Sequence, residues 1–347
     1  MEIAMAATIL LLTIIGFNPP QGVDGWTTYR DRAILVGLIP VFVWMYVGYP
    51  AFAIVFTLLS LRFKSYRETE KIEFWRGVHI WAFVFIVWLL LQNVRMEYLP
   101  LLMMALVMAG TCQAVFAIVD EVVFYSARLR GKKAIGIIGS LGNRTYLGAY
   151  MAILTPQVAN ADLWYLFVLF VVAVLLTSSR GAFLALFAGL LMIWPMSVLI
   201  IAVSFLVIYM IAWDHIPTSS LHQSMGRLKV WMLSLIQIRQ FPNWLIGRGF
   251  GTFAGSAIAN TLRYSDKESF VHVHNDWLQF LNEYGAVGVA ALVLFLAPLV
   301  PHMQFGNPMA ASAVAIATIS CLTFIHHIGP IAVTSLILIG LLSRGVM

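Results

Sequence analysis

Leu163 to Pro195 reads LWYLFVLFVVAVLLTSSRGAFLALFAGLLMIWP, an apolar stretch with a single polar interruption. As one helix this stretch would be about 50 Å long, whereas the hydrocarbon core of a bilayer is only about 30 Å thick. Two short helices that meet at the SSRG tetrapeptide, residues 178–181, fit the bilayer better. Each would be about 22 Å long, so we expect the tip of the pair, with Arg180, to lie below the membrane surface.

Arg180 in that position needs a physical explanation. An arginine at the centre of a lipid-facing helix costs about 2.5–3.5 kcal/mol on the insertion scale. A polar cavity or an anionic partner would offset this cost. The alternative is an ordinary helix end, from which the guanidinium extends to the membrane interface.

The composition of the whole chain is that of a membrane protein. Hydrophobic residues make up 61% of the 347 residues and charged residues 10%, and apolar runs recur along the chain. We therefore expect an all-α polytopic transmembrane bundle, a single integral membrane domain over residues 1–347 that lies in the lipid bilayer, with no nucleic-acid partner. About twelve spans are expected, roughly at 2–17, 33–47, 50–61, 77–93, 98–118, 134–155, 162–177, 181–195, 196–213, 285–302, 309–325 and 328–343.

Residues 214–284 form the one long segment between expected spans, and about seventy residues are too many for a simple connector. Within it, residues 226–239 carry apolar side chains with recurring basic ones, which predicts a helix in the membrane interface or against the bundle. The GRGFG run at 247–251, which includes Arg248, is either a turn or a place where backbone approaches an anionic ligand.

The end of this loop, HVHNDWLQFLNEYGAVGV from His272 to Val289, holds imidazole, amide and carboxylate groups directly before an apolar span. If residues 274–284 are helical, Asn275, Gln279 and Asn282 share one face of the helix. Glu283 then lies on the side opposite His274, so that the two could not form an acid/base dyad. A lone histidine near an apolar surface is more often structural than catalytic, but a whole polar stripe at the bilayer edge must find partners.

A third segment, residues 136–148, has glycines at every third position and then a polar tip that includes Asn143 and Arg144. Small residues at such spacing allow helices to approach closely. The segment is equally consistent with close helix packing and with the lining of a substrate cavity.

Together these segments resemble the O-antigen ligase and O-antigen polymerase superfamily of membrane glycosyltransferases. The resemblance covers roughly residues 134–300 and rests on GNRTYLGAY, LLTSSRGAFLAL, GRLKVW followed by LIGRGFGTF, and HNDWLQFLNEYGAVG, in that order. It implies about twelve helices, a large loop that holds the histidine, and a metal-independent, inverting transfer with no cofactor. The sequence departs from the family at Arg144 and Thr145, where members often carry Pro and Asn.

The resemblance also implies roles for individual residues. Arg180 and Arg227 would stabilise the charge that develops on a leaving diphosphate, as guanidinium forks do, and His274 would be the base that takes the proton of the acceptor hydroxyl. Further substrate contacts are expected from Asn275, Gln279, Arg248, Asn143 and Arg144. The implied donor is a glycan on a polyprenyl (undecaprenyl-type) diphosphate, and the acceptor is a lipid, a glycan or a protein hydroxyl.

The distribution of basic residues gives conflicting indications of orientation. If Arg180 and the long loop share a face, the span count puts all 21 Lys and Arg on that face except Arg95 and Arg344. A face with this excess of positive charge attracts an anionic diphosphate lipid. The positive-inside rule, however, would make the same face cytoplasmic. The resemblance implies a bacterial inner membrane with the active site towards the periplasm or exterior, and we follow it, because a diphosphate-binding surface is itself a reason for basic residues.

Other functions remain open on the sequence alone. Polysaccharide polymerase, protein glycosylation and an inactive structural member belong to the same superfamily. A transporter or flippase for an anionic solute or lipid-linked sugar is an alternative of another class, with Arg180 at a helix break and His326-His327 as its main ionisable pair.

The sequence pattern indicates no metal site: His272 and His274 could share a metal only in an extended segment, and no third ligand is evident nearby.

Overall fold

A computed structural model of the chain describes residues 91, 94, 96–129, 139–159, 163–195, 219–239, 243–249, 253, 263–265, 268–269, 272–327 and 329–345. Within these ranges nearly all regular structure is helical, and two short strands are the exception. The helical class expected from the sequence is therefore confirmed. The expected spans at 2–17, 33–47, 50–61 and 196–213, and nearly all of 77–93, lie outside the described residues.

Four described helices precede the long loop: α1 (Leu99–Leu129), α2 (Arg144–Ala159), α3 (Trp164–Leu176) and α4 (Arg180–Ile193). The loop contains α5 (Ser219–Ile238), α6 (Asn243–Ile246) and an antiparallel pair, β1 (Arg263–Ser265) and β2 (Glu268–Ser269). It ends in the first turns of α7 (Asp276–Leu296), which α8 (Pro308–Ser320) and α9 (Gly329–Ser343) follow. Short 3-10 helices in the described ranges occupy Met96–Tyr98, Gly139–Leu141, Ala297–His302 and Ile325–His327.

Length and apolar composition qualify one described helix, over Leu99–Val123, as able to cross a membrane. A second candidate is the pair Asp276–Ala290 and Leu292–His302, which is bent by 59°. The remaining apolar helices of the described residues are shorter: Trp164–Leu176, Arg180–Ile193, Pro308–Ser320 and Pro330–Ser343. The expected twelve spans thus stay a prediction.

The core of the described bundle is built around α2, which packs against α1, α3, α4 and α8. Every residue of α2 from Leu147 to Val158 is buried, as expected for a helix that is apolar on all sides. The buried amide of Gln157 has partners. Gln157 donates to the carbonyl of Pro308 (2.9 Å) and to the hydroxyl of Ser312 (2.8 Å), and Ser312 donates to the carbonyl of Ile153 (2.7 Å).

The expected span at 134–155 is wrong in its first half, as far as the described residues show. Residues 139–143 are a 3-10 turn and a bend, and the α-helix begins only at Arg144. Gly139 and Gly142 have φ angles of +53° and +72°, which a right-handed helix does not contain. These glycines precede α2 and do not lie on an α-helical face.

The expected break in the Leu163–Pro195 stretch is confirmed. The two helices α3 and α4 are 13 and 14 residues long, and Thr177-Ser178-Ser179 separates them. Ser178 has a φ of +51°, and the Ser179 hydroxyl accepts a hydrogen bond from the N–H of Ala182 as the N-cap of α4. The helix expected at 226–239 is also present, as the greater part of α5.

Candidate functional site

His274 lies immediately before α7 and not within it. The helix begins at Asp276, and Asn275 is its N-cap, with its side-chain oxygen accepting the N–H of Leu278 at 2.9 Å. His274 itself has a φ of +57°, an uncommon conformation for a residue other than glycine. The condition that residues 274–284 are all helical is therefore not met for His274 and Asn275, because the cap fixes the start of the helix after them.

Asn275 contributes to local structure through this cap. Its side-chain oxygen is engaged by the backbone of α7, whereas the sequence pattern predicts a substrate contact. The N–H of Asp276, the next residue, donates to the carbonyl of Thr323 at 3.3 Å. The start of α7 is thus attached to the segment that follows α8.

Phe324 packs against aromatic side chains from two parts of the chain. His274 packs edge-on against it, with ring centroids 4.8 Å apart and planes at 71°. His272 stacks on it at 4.7 Å and 28°, and Tyr146 of α2 meets it edge-on at 5.6 Å. These geometries are favourable for aromatic pairs, so Phe324 holds the two histidines of the HVHN run in fixed orientations.

Arg227 lies close to His274, and it contacts Leu322, two residues before Phe324. Its Nη1 donates to the carbonyl of Leu322 at 3.3 Å. Burial and the positive charge of Arg227 lower the pKa of His274 to about 4. At neutral pH the imidazole is therefore uncharged and able to accept a proton.

A second histidine, His326, is paired with Asp276. Asp276 Oδ2 accepts a hydrogen bond from His326 Nδ1 at 2.8 Å and another from its backbone N–H at 3.3 Å. The His326 side chain is 46% exposed, whereas that of Asp276 is 9% exposed. The 3-10 turn Ile325–His327 precedes α9, as expected for a helix end, but the sequence pattern does not indicate the pairing with Asp276.

Gln279 is buried and binds the loop that carries the histidines. Its side-chain oxygen accepts the N–H of Val273 at 3.2 Å, and its amide nitrogen donates to Glu283 at 3.1 Å. The same nitrogen is 3.4 Å from Nδ1 of His272. Gln279, expected to contact substrate, therefore positions the HVHN run, and Glu283 supports it from one turn further along α7.

Helix α5 also packs against the loop that carries His272 and His274. The indole N–H of Trp231 donates to the carbonyl of Val273 at 3.0 Å. Val230 and Val273 are fully buried in one small cluster with Phe253. This packing fixes the position of α5, and with it Arg227, relative to His274.

The glycines around Arg248 bring backbone against α7. The N–H groups of Arg248 and Gly249 donate to the carbonyls of Asn282 and Glu283, each at 3.0 Å. A Cβ built on Gly247 would lie 2.1 Å from the carbonyl oxygen of Glu283. These glycines do allow the close backbone approach that was expected, and the group that they approach is the backbone of α7. Arg248 itself is half-buried beside it.

Arg180 is the first residue of α4, and its side chain is exposed. A Cβ at the next residue, Gly181, would lie 3.3 Å from Ile319 and 3.5 Å from Leu322. The beginning of α4 therefore packs against the end of α8. This contact brings Arg180 to the same segment whose carbonyl accepts the hydrogen bond of Arg227.

Asn143 and Arg144 lie at the start of α2, and both are exposed. The Asn143 side chain accepts the N–H of Thr145 at 2.8 Å, so one of its groups stabilises the turn. One turn further on, a Cβ at Gly148 would lie 2.7 Å from both Thr177 Oγ1 and Ala182 Cβ. Only a glycine at this position lets the start of α2 reach the break between α3 and α4.

Three helices thus begin around three consecutive residues, Leu322-Thr323-Phe324, which we call the 322–324 segment. Helix α2 contacts Phe324 through Tyr146, α4 contacts Leu322 through Gly181, and α7 donates to the carbonyl of Thr323. Helix N-termini carry partial positive charge. Sequence reasoning missed this segment, because Leu322-Thr323-Phe324 carries no pattern that marks it as functional.

Among the described residues, no group of three or more His, Cys, Asp or Glu side chains is arranged to hold a metal ion. The imidazoles of His272 and His274 and the guanidinium of Arg227 contact the 322–324 segment, and Arg180 begins a helix that packs against it. Such an arrangement suits an anionic ligand and a proton transfer.

Comparison with known proteins gives one family match. No curated protein matches the chain. Residues 165–293 match a family model described as O-antigen ligase (Wzy_C). The matched range includes Arg180, Arg227 and His274 and excludes Asn143 and Arg144. The resemblance to the O-antigen ligase family is thereby confirmed over residues 165–293.

Proposed function

We propose that the protein is a membrane glycosyltransferase that moves a glycan from a polyprenyl diphosphate to a hydroxyl of a lipid or glycan acceptor. The single observation that carries the proposal is the convergence at the 322–324 segment. Arg227, the start of α4 with Arg180, and the loop of His274 all contact three consecutive residues there. The match of residues 165–293 to the O-antigen ligase family supports the reaction class.

Arg180 and Arg227 bind the diphosphate of the donor in this mechanism. The diphosphate gains negative charge as its bond to the anomeric carbon breaks, and guanidinium groups stabilise that charge through paired hydrogen bonds. The partial positive charges at the starts of α2, α4 and α7 act in the same direction. The mechanism assigns no step to a metal ion.

His274 takes the proton of the acceptor hydroxyl. A neutral imidazole is needed for this role, and the low pKa of His274, about 4, keeps it neutral. The hydroxyl oxygen then attacks the anomeric carbon from the face opposite the diphosphate, with inversion. When a diphosphate neutralises Arg227, the charge that lowers the pKa of His274 is offset, so donor binding strengthens the base.

Purified full-length protein tests the proposal with a polyprenyl-diphosphate glycan and candidate acceptors in EDTA. We expect donor consumption that falls roughly 10²–10⁴-fold in His274→Ala. His302→Ala is the matched control, because His302 is a half-buried histidine beyond the other end of α7. Unchanged turnover in His274→Ala would remove that residue from the mechanism, and movement of the intact donor across vesicles without consumption would favour a transporter.

The products of the same assay separate the acceptor classes. Transfer of one glycan to a lipid acceptor gives a single product, which is the ligase activity that the family description names. A ladder of increasing length would identify a polymerase, and label on a protein hydroxyl an oligosaccharyltransferase. We propose the ligase.

Orientation is tested by cysteine labelling. Cys112 and Cys321 are both exposed and are first replaced by serine. A single cysteine at Arg239, an exposed position at the end of α5, should then react with an impermeant reagent from the periplasmic or external side. Labelling from the cytosolic side only would reverse the proposed orientation.

A further inference from the structure

We propose that Asp276 and His326 form the acid partner of the transfer site, in which the His326 imidazolium donates a proton to the diphosphate as it leaves. This inference rests on the proposed transferase function and extends it. It assigns proton donation to Asp276 and His326, two residues of the site that the mechanism above does not use.

The geometry of the pair fixes which nitrogen faces the carboxylate. Asp276 Oδ2 accepts from both the backbone N–H and Nδ1 of His326. Because an ionised carboxylate only accepts, Nδ1 carries a hydrogen. Nε2 then remains to bind a ligand, and the side chain is 46% exposed. A carboxylate that orients an imidazole in this way is a recurrent arrangement in acid/base catalysis.

The pair lies next to the proposed base. Asp276 follows His274 by two residues, and His326 follows Phe324, against which His274 packs, by two residues. The N–H of Asp276 also bonds to the 322–324 segment, at the carbonyl of Thr323. The proposed acid and base are therefore both held beside the 322–324 segment.

The electrostatic surroundings separate the two histidines. Burial lowers the pKa of His326, but the charge and hydrogen bond of Asp276 outweigh it, and the pKa lies above its ordinary value. The pKa of His274, by contrast, is lowered. Further titratable or charged side chains on adjoining described elements are Arg180 at the start of α4, Arg227 on α5, Glu283 on α7, and Cys321 and His272. Titratable pairs with pKa values moved apart are typical of acid and base partners.

The step balances in atoms and charge. The bond from the anomeric carbon to the diphosphate oxygen breaks, and its electron pair remains on that oxygen. The oxygen takes the proton of His326 Nε2, while the acceptor oxygen forms the new glycosidic bond and loses its proton to His274. After the turnover His274 releases one proton and His326 regains one, so that no net proton is consumed by the enzyme.

The pH dependence of kcat tests this assignment. In the wild type we expect a fall in kcat on the alkaline side as His326 loses its proton. In His326→Asn the amide can still donate to Asp276 and preserve the fold, but kcat should drop roughly 10²-fold and lose the alkaline limb. Added imidazole should restore part of the activity, because the position is half-exposed. In Asp276→Asn the alkaline limb should move to lower pH.

A binding measurement makes the test independent of turnover. Inorganic diphosphate should bind the purified full-length protein more weakly as pH rises through the pKa of His326. This pH dependence should be reduced in His326→Asn and preserved in His302→Asn, a control beyond the far end of α7. The titration of diphosphate itself is common to all three proteins and cancels in the comparison.

The outcomes separate this inference from the proposed function. Loss of turnover in His274→Ala with an unchanged alkaline limb in both His326→Asn and Asp276→Asn would keep the transferase and overturn the acid role. Absence of transferase activity in the wild type, together with His326-dependent diphosphate binding, would overturn the function and keep the contact. Equal diphosphate binding by His326→Asn and wild type at every pH would overturn the contact itself.

Discussion

His274 packs against Phe324 and His326 follows Phe324 by two residues, yet the surroundings of the two histidines act on them in opposite ways. His274 packs against Phe324 close to Arg227, and its pKa is lowered to about 4. His326 donates to the carboxylate of Asp276 at 2.8 Å, and its pKa is raised. One side chain is therefore suited to accept a proton at neutral pH and the other to carry one.

The difference between the two histidines comes from residues distant in the chain. Arg227 lies on α5 and Asp276 on α7, and each reaches the 322–324 segment through a hydrogen bond to a backbone carbonyl. Burial and the charge of Arg227 together lower the pKa of His274, whereas the carboxylate of Asp276 raises that of His326. Four predictions test this contrast, in order of decreasing effect.

Removal of the charge beside His274 should have the largest effect. Arg227→Ala should lose about 2–4 kcal/mol of transition-state stabilisation, which is roughly 30- to 1000-fold in kcat/KM. Lys229→Ala, an exposed residue two positions along the same helix, is the control and should retain turnover. If both variants lose activity equally, the effect of Arg227 is general charge and not a contact with the diphosphate.

The acid limb of the pH profile should differ between the free enzyme and the donor complex. The limb of kcat/KM reports His274 in the free enzyme, where activity falls as pH decreases through about 4. In the donor complex the diphosphate offsets the charge of Arg227, so the limb of kcat should lie at higher pH. Coincident limbs in a full pH–rate series would mean that the donor does not neutralise Arg227.

Phe324→Leu should loosen the histidine loop without removing any charge. The rings of His272, His274 and Tyr146 would lose their aromatic partner, at a cost on the order of 1 kcal/mol in stability. We expect a fall in kcat of roughly tenfold, with little change in KM for the donor. A variant with normal kcat would show that Phe324 packs against the site but does not position His274.

Gln279→Leu should have the smallest effect on turnover. The substitution leaves the N–H of Val273 and the carboxylate of Glu283 without their glutamine partner, which costs about 1–3 kcal/mol in stability. Thermal unfolding in detergent should record this loss, while kcat should change only a few-fold. Gln279→Glu, which keeps the acceptor for Val273 but repels Glu283, separates the two contributions. A larger loss in turnover than in stability would return Gln279 to the substrate-binding residues.

Several features of the fold could be predicted from local pattern. The polar interruption of a stretch too long for one span indicated the break between α3 and α4, at residues 177–179. Apolar periodicity indicated most of α5. The run of polar groups at 272–284 indicated where the candidate site lies. Such signals are readable in the sequence because they depend on neighbours within a few residues.

The helical form considered for the HVHN run differs from the structure. The sequence suggested a helix from His274 with Asn275 on a substrate-facing stripe, whereas Asn275 caps the helix and His274 precedes it. An asparagine that directly follows a loop histidine is as suitable for a cap as for a helix face. Asn143 is a second example, because its side chain also bonds to the backbone at a helix start.

Sequence alone determined the helical class, the membrane-like composition, the helix break that presents Arg180 and the resemblance to the O-antigen ligase family. Tertiary structure alone decided that Phe324 lies between the histidines, that Arg227 acts on His274, and that Asp276 pairs with His326. The physical reason is the separation along the chain of the residues that determine each feature. Periodicity and capping involve residues within a few positions of each other, but a pKa depends on whatever charge packing brings within a few ångströms.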